Sequence, residues 1–263
     1  MEKVSGSYKH FVLVHGACHG AWCWFKIATL LEKAGHKVTA IDLIASGAHP
    51  FKLDDLHSFH QYVQPLMEVV SSLPDNEKVI LVGHSLGGIG ISLAMEAFPE
   101  KISAAVYLAA IAPGLSFTTA EFFTEFFRRN TGERLLDTQV LFDHGPEKPP
   151  TSLLFGEKLI SSRMYQLCQP EDIKLATLLL RPTKLFIEEL ASESLFTKER
   201  FGSVQRVYII CKEDEMFHDL QEWMIEKASI VQVMTIEASD HMPMLCKPHV
   251  LFGCLLQVAE KYV

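Results

Sequence analysis

The six cysteines of this 263-residue chain form no C-x-x-C pair, the usual signature of a zinc or redox motif. Neither of the two asparagines begins an N-x-Ser/Thr glycosylation pattern. No apolar run reaches the roughly 18 residues that a transmembrane helix needs, and the polar first nine residues are unlike a secretory signal. These absences argue against a disulfide framework, a thiolate metal site and a membrane protein. We therefore expect a cytoplasmic protein that holds no metal.

Positive charge is also scarce, because 24 basic residues face 32 acidic ones and the formal net charge is −8 at pH 7. A chain with this balance is repelled by phosphate backbones and anionic lipids, which argues against nucleic acid and membranes as partners. The chain lacks G-x-G-x-x-G, and no Lys-Ser/Thr pair follows the glycine-rich segment 83–88, so no nucleotide cofactor is predicted. A small organic molecule is the expected partner, with no cofactor.

Apolar runs alternate with helical patterns at both ends of the chain, which is typical of an α/β fold with a mainly parallel sheet and helices on both faces. The predicted strands are 10–14, 37–43, 78–82, 102–109, 204–211 and 231–236, and the predicted helices are 22–34, 57–72, 86–98, 219–227 and 250–262. In the middle of the chain, between residues 113 and 200, this alternation of apolar runs and helical patterns breaks off. We predict a core made of residues 1–112 and 201–263 with an inserted cap at 113–200, all in one integrated domain.

The pentapeptide Gly83-His84-Ser85-Leu86-Gly87 lies between a predicted strand and a predicted helix. It is the G-x-S-x-G pattern in the strand–turn–helix context of a nucleophile elbow. The two glycines let backbone segments approach closely while Ser85 adopts a strained conformation above the sheet. We predict Ser85 as the nucleophile and the amide of Leu86 as a donor to an oxyanion.

A serine nucleophile requires a base and an orienting carboxylate, expected in the chain order serine, acid, histidine. Among the 12 histidines, His241 is the one that follows a late predicted strand, with an acid-bearing strand end before it. Asp214 lies in that earlier loop, whereas Asp240 adjoins the histidine, and adjacent residues rarely orient each other's side chains. We predict His241 as general base and Asp214 as its partner, with Asp240 as the alternative.

The loop His15-Gly16-Ala17 follows the first predicted strand and supplies the expected second oxyanion donor, the amide of Ala17. His15 and His84 are interpreted as structural histidines beside the site. A metal site at His15 and His19 is not expected, because the pair lies on a loop without a carboxylate partner.

Four segments of the chain resemble the plant methylesterase family of α/β hydrolases, and the similarity extends over nearly the whole sequence. These segments are HFVLVHG at 10–16, GAWCW at 20–24, AGHKVTA at 34–40 and DHMPM at 240–244. The resemblance implies the same roles for Ser85, Asp214, His241 and the amides of Ala17 and Leu86. It also implies a homodimer.

Related hydroxynitrile lyases have threonine where Gly16 stands, cysteine where Leu86 stands and lysine where Met242 stands. A lysine there would stabilise a leaving cyanide, which Met242 cannot do. Family members that have lost the serine, acid and histidine act as decarboxylases, but this chain keeps Ser85, Asp214 and His241. An esterase is therefore favoured over a lyase.

The expected reaction is hydrolysis of a small apolar methyl ester through an acyl-enzyme, of the methyl salicylate, methyl jasmonate, methyl indole-3-acetate or alkaloid ester class that the resemblance implies. Two alternatives stay open: a salicylate-like small-molecule binding protein with little turnover, and an esterase whose acid product decarboxylates. The predicted substrate-binding side chains are Phe122, Phe123, Phe126, Met164, Phe186 and Met242.

Overall fold

The computed structural model describes residues 8–130, 132–191, 196–230 and 232–262. The strands are β1 (His10–Val14), β2 (Lys37–Ile41), β3 (Val79–His84), β4 (Ile102–Leu108), β5 (Gln139–Leu141), β6 (Ser152–Leu154), β7 (Thr183–Lys184), β8 (Arg206–Cys211) and β9 (Gln232–Ile236). Six of them form one sheet in the order β2-β1-β3-β4-β8-β9, with every neighbouring pair parallel. The predicted α/β class is confirmed.

Helices connect the strands of this sheet and also occur in residues 113–200, the predicted cap. They are α1 (Phe25–Lys33), α2 (Phe59–Tyr62), α3 (Gln64–Ser71), α4 (Gly87–Ala97), α5 (Thr119–Arg129), α6 (Gly132–Leu135), α7 (Glu157–Leu159), α8 (Pro170–Leu179), α9 (Ile187–Ala191), α10 (His218–Lys227), α11 (Pro243–Cys246) and α12 (Pro248–Lys261). Short 3-10 or π turns lie at Ala21–Trp24, Leu53–Asp55, Pro99–Lys101, Ile160–Met164 and Phe201–Ser203. In the described ranges, no helix is both long and apolar enough to cross a membrane.

The centre of the sheet is the most buried part of the molecule. Every residue of β1 and β3 is buried, as expected for apolar strands covered on both faces by helices. Because all six strands run in the same direction, the loops after β1, β3, β8 and β9 leave the sheet at one edge. We call this the exit edge, and it gathers the loops that carry the predicted site residues.

Most predicted elements differ from the structure by a few residues at one or both ends, and two of the differences have a clear physical reason. The helix predicted over 57–72 is split into α2 and α3, because Pro65 lies in the first turn of α3 and its ring is incompatible with an uninterrupted helix. The strand predicted to end at residue 82 continues to His84, since Gly83 and His84 still pair with β4. Val231, the predicted first residue of the last strand, lies outside the described residues.

The chain between β4 and β8 contains α5 to α9 and a small antiparallel sheet in the order β5-β6-β7. These strands have two or three residues each, too short to show a period-two pattern, and the sequence did not predict them. Helix α5 begins with a reciprocal capping box, in which Thr118 and Glu121 satisfy each other's backbone amides. The buried face of α5 presents phenylalanines toward the exit edge.

Candidate active site

Ser85 lies at the sharp turn between β3 and α4. Its φ of 52° is in the left-handed region, where a residue with a side chain is strained. The turn is held because the Ser85 carbonyl accepts hydrogen bonds from the amides of Ile111 (2.9 Å) and Gly88 (3.1 Å). A Cβ atom on Gly83 would lie 2.8 Å from the carbonyl oxygen of Gly87, so this crossing requires glycine. The local geometry is that of a nucleophile elbow.

His241 and Asp214 are joined by a buried hydrogen bond. The His241 Nδ1 atom lies 2.8 Å from Asp214 Oδ2, and the two side chains are 1% and 0% exposed. The other carboxylate oxygen, Oδ1, accepts from the amides of Met216 (2.8 Å) and Phe217 (3.0 Å). Because the carboxylate accepts the proton of Nδ1, the Nε2 atom of His241 is left as a proton acceptor.

Asp240, the alternative acid, contacts backbone amides rather than the imidazole of His241. Its Oδ1 accepts from the amide of Met242 and its Oδ2 from the amide of Leu167, both at 2.9 Å. These bonds direct the carboxylate away from the histidine beside it. The carboxylate that orients His241 is therefore that of Asp214.

Residues 163–168 of the cap, which we call the tether, contact both of the loops that carry these groups. Arg163 forms an ion pair with Glu215 (2.9 Å), and Gln166 Nε2 donates to the carbonyl oxygen of Glu213 (2.7 Å). The Leu167–Asp240 bond completes the set. Glu215 is therefore not a free loop acid, and the positions of the acid and histidine loops depend on the cap.

Ser85, His241, Ala17 and Leu86 line a common cavity beneath the cap. Within the described residues, no hydrogen bond joins Ser85 Oγ to His241, which is common in enzymes that hold no substrate. The amides of Ala17 and Leu86 donate no hydrogen bond to the described part of the chain, and so are free to bind a ligand oxygen. The arrangement brings together a serine hydroxyl, an imidazole and two amide donors.

The loop that carries Ala17 is held close to the elbow. A Cβ atom on Gly16 would lie 2.7 Å from Ser85 Cβ, so in this chain a side chain there would force the loop or the elbow to shift. The Ala17 carbonyl accepts from His19 Nδ1 (2.7 Å), and His19 Nε2 accepts from the hydroxyl of Tyr165 in the cap (2.6 Å). His19, which the sequence did not assign a role, thus orients the Ala17 peptide.

Three buried histidines around the elbow are neutral. Burial lowers the pKa of His15 and His84, and it lowers the pKa of His19 to about 3. The Nε2 atom of His84 donates to the carbonyl oxygen of His241 (2.8 Å), whereas its Nδ1 has no partner among the described residues. His15 donates to the carbonyl oxygen of Gly16 (2.8 Å). These contacts agree with the interpretation of His15 and His84 as structural.

Of the predicted substrate-binding side chains, Phe122, Phe123 and Phe126 line the cavity. The other three lie outside it: Met164 and Met242 are fully buried in surrounding packing, and Phe186 turns toward Phe59. The remaining lining residues, which the sequence did not predict, are Ile111, Phe127, Leu135, Thr138, Val140, Leu153, Phe155, Leu185, Met216 and Phe217. Met216 and Phe217 lie in the same loop as Asp214, just after Glu215, and that position after a strand was the only signal available for them.

Comparison with known proteins places these features in a family. A sequence profile described as "Alpha/beta hydrolase family" matches residues 11–251. Salicylic acid-binding protein 2 from Nicotiana tabacum is 50% identical over 97% of this chain and 98% of its own length. Methyl jasmonate esterase 1 from Vitis vinifera is also 50% identical, with the same coverage. The crystal structure of polyneuridine aldehyde esterase superimposes with a TM-score of 0.91 at 44% identity, covering 96% of this chain and 100% of that one. The chain belongs to the α/β hydrolase family.

Proposed function

We propose that this protein is a serine carboxylesterase that hydrolyses a small apolar methyl ester. The observation that carries the proposal is the buried Asp214–His241 bond beside the strained Ser85, at one cavity. In the first step His241 Nε2 accepts the Ser85 proton while the serine oxygen attacks the ester carbonyl. The amides of Ala17 and Leu86 stabilise the oxyanion of the tetrahedral intermediate.

The same groups complete the acylation step and then carry out the hydrolysis of the acyl-enzyme. His241 returns the proton to the departing methoxide, so methanol leaves and the acyl group stays on Ser85. A water molecule, deprotonated by His241, then attacks the acyl-enzyme, and His241 returns that proton to Ser85 Oγ as the carboxylic acid leaves. Asp214 stabilises the imidazolium that forms in each half.

The composition of the cavity wall favours an uncharged ester. Apart from Ser85, His241 and Thr138, the residues that line it are apolar. A charged acid portion would lose its hydration without finding a partner there, whereas an aromatic or alkyl group would pack against Phe122 and Phe126. One relative above is named for salicylic acid and another for methyl jasmonate, so methyl salicylate and methyl jasmonate are the first esters to test. Methyl indole-3-acetate and alkaloid methyl esters, which the resemblance to plant methylesterases implies, complete the panel.

The decisive variant is Ser85→Ala, assayed with a panel of these methyl esters. We expect a loss of kcat of about 10⁴- to 10⁶-fold, because the nucleophile is removed while the cavity stays intact. Ser71→Ala, at an exposed serine in α3, is the matched control and should keep wild-type activity. An unchanged rate in Ser85→Ala would remove this residue from the mechanism.

The same assay tests the two alternatives. Many turnovers per active site would exclude a binding protein that only retains the hydrolase frame. Mass measurement of the product separates simple hydrolysis, which gives the acid, from hydrolysis followed by loss of CO₂.

A cytoplasmic location and a homodimeric state belong to the same proposal. Six free cysteines suit a reducing compartment, and imaging of a fluorescent fusion measures location directly. The homodimer rests on the resemblance to plant methylesterases, and light scattering on the purified protein tests it.

A further inference from the structure

Three potential ligands meet at the histidine loop, and none of them lines the cavity. They are Cys168 at the end of the tether, Asp240 after β9, and Cys246 at the end of α11. The two sulfur atoms and one carboxylate oxygen all lie within 4.8 Å of one another, and Cys168 Sγ is 3.4 Å from Asp240 Oδ2. None of these residues has a role in the proposed esterase reaction.

We propose that Cys168, Asp240 and Cys246 form a binding site for one thiophilic divalent cation of the Zn²⁺ or Cd²⁺ type. Zinc binds thiolate sulfur at about 2.3 Å and carboxylate oxygen at about 2.0–2.2 Å in tetrahedral geometry, so the two ligand atoms should be about 3.5 Å apart. The observed sulfur–oxygen distance of 3.4 Å matches this edge. Water supplies the fourth ligand.

The carboxylate of the site is oriented before any ion arrives. The amides of Leu167 and Met242 each hold one oxygen of Asp240, as supporting groups do around metal sites. Oδ2 keeps a second lone pair, which accepts the thiol proton of Cys168. An ion that binds here replaces that proton, so one cation displaces two thiol protons into the solvent and leaves a Cys₂Asp ligand set.

Charge and access also favour a cation. The hydrogen bonds of Asp240 among the described residues come from two amides and a thiol, with no lysine or arginine among the donors. Asp240 is fully buried, whereas both cysteines are half-buried, which leaves a route from the solvent. A buried carboxylate without a cationic partner is stabilised by a bound ion.

A disulfide between the two cysteines is the competing outcome. Cys168 Sγ lies 3.4 Å from Asp240 Oδ2, and the carboxylate disfavours a negative charge on this sulfur. Oxidation requires the thiolate as nucleophile, so this neighbour slows attack on an oxidant such as hydrogen peroxide. A divalent cation must displace the same proton, but its own charge compensates the thiolates once it is bound.

The test is titration of the full-length, reduced, metal-free protein with Zn²⁺ and with Cd²⁺, followed by calorimetry and by the thiolate-to-cadmium absorption band. We expect one ion per chain. Cys168→Ser and Cys246→Ser should each weaken binding at least about 100-fold, because each removes a direct ligand. Cys254→Ser, in α12 away from the cluster, is the matched control and should bind like the wild type.

Thermal melting gives a second readout that does not depend on esterase activity. Added Zn²⁺ should raise the Tm of the wild type and of Cys254→Ser, but not of the two ligand variants, whose folding is checked by circular dichroism. Equal affinity in all four proteins, or no binding by the wild type, would overturn the proposal. So would a mass lower by two hydrogens in air-exposed protein together with no ion bound after reduction, since that result assigns the pair to a disulfide.

Discussion

The exit edge and the cap position their residues by different means. At the exit edge, Ser85 and Asp214 are held by hydrogen bonds from backbone amides next to buried strands. On the cap, α5 presents Phe122 and Phe126, which are positioned by ring contacts with each other and with Phe217. Backbone bonds tolerate little displacement, whereas ring packing can be rearranged. We therefore expect substitutions at the edge to change reaction rate and substitutions on the cap to change which ester is accepted.

The largest effect within this comparison is expected for Asp214→Asn. The amide would preserve the shape of the side chain but favour the wrong imidazole tautomer of His241, so kcat should fall about 10⁴-fold with little change in KM. Steady-state kinetics with a methyl ester measure both constants. Glu213→Gln, at the exposed neighbouring residue, is the control and should match the wild type. A loss below tenfold in Asp214→Asn would remove the carboxylate from the mechanism.

Gly16→Ala tests how little displacement the edge tolerates. The added methyl group would meet Ser85 Cβ at 2.7 Å and push the Ala17 loop away from the elbow. We expect kcat/KM to fall roughly 10²- to 10³-fold, the effect of losing one oxyanion donor. Gly253→Ala is the matched control, because nothing lies within 4 Å of its added Cβ. In helix α12 that change should keep activity and stabilise the fold by about 0.5–1 kcal/mol. Equal activity in both variants would contradict the close approach at Gly16.

His19 connects Ala17 at the exit edge to Tyr165 in the cap, and this connection is sensitive to acid. Its pKa is about 3 in the folded protein because of burial, against about 6.5 when unfolded, so protonation favours the unfolded chain. The contribution of His19 to the free energy of unfolding is therefore fully present above pH 6.5 and is lost as the pH falls below that value. By pH 4.5 this single group should cost about 3 kcal/mol.

Urea unfolding at pH 7 and pH 4.5 measures that loss. His19→Gln keeps polar groups for Ala17 and Tyr165 but does not titrate, so its stability should fall less between the two pH values than that of the wild type. Identical pH dependence in the two proteins would show that His19 is not buried as a neutral group.

The smallest effect is expected on the cap. Phe126→Leu removes an aromatic edge from the cavity, so KM for an aromatic methyl ester should rise about tenfold while kcat stays within about threefold. Phe25→Leu, at a 46% exposed ring on α1, controls for the substitution itself. A fall in kcat of about 10²-fold or more in Phe126→Leu would contradict the distinction between edge and cap.

The parts of the site that sequence could predict are those encoded locally. The elbow is a five-residue pattern in which Gly83 is required by a contact within the turn and Gly87 by the close approach of the end of β1. His241 and Asp214 could be assigned because each follows a strand, and parallel strands end at one edge. The choice of Asp214 over Asp240 relied on a different local rule, that adjacent residues rarely orient each other's side chains. The structure gives the reason, since two backbone amides occupy the carboxylate of Asp240.

What sequence could not predict depends on packing between distant segments. Leu153 and Phe155 reach the cavity from cap strands too short to show a periodic pattern. Met164 and Met242 are apolar and near the site in sequence, but nothing in a linear pattern shows that their side chains pack elsewhere. The Cys168–Cys246 pair is likewise separated along the chain and becomes a cluster only when the cap folds onto the core.

The tether limits how the cap of this protein can be replaced by the cap of a related α/β hydrolase. Because residues 163–168 contact the loops of both Asp214 and His241, a chimera that replaces the whole of 113–200 would also discard the supports of its own acid and base. A new specificity is therefore best grafted in two pieces, one before residue 163 and one after residue 168. Residues 113–200 are therefore not one exchangeable unit, because the tether within them is packed against the loops of the core.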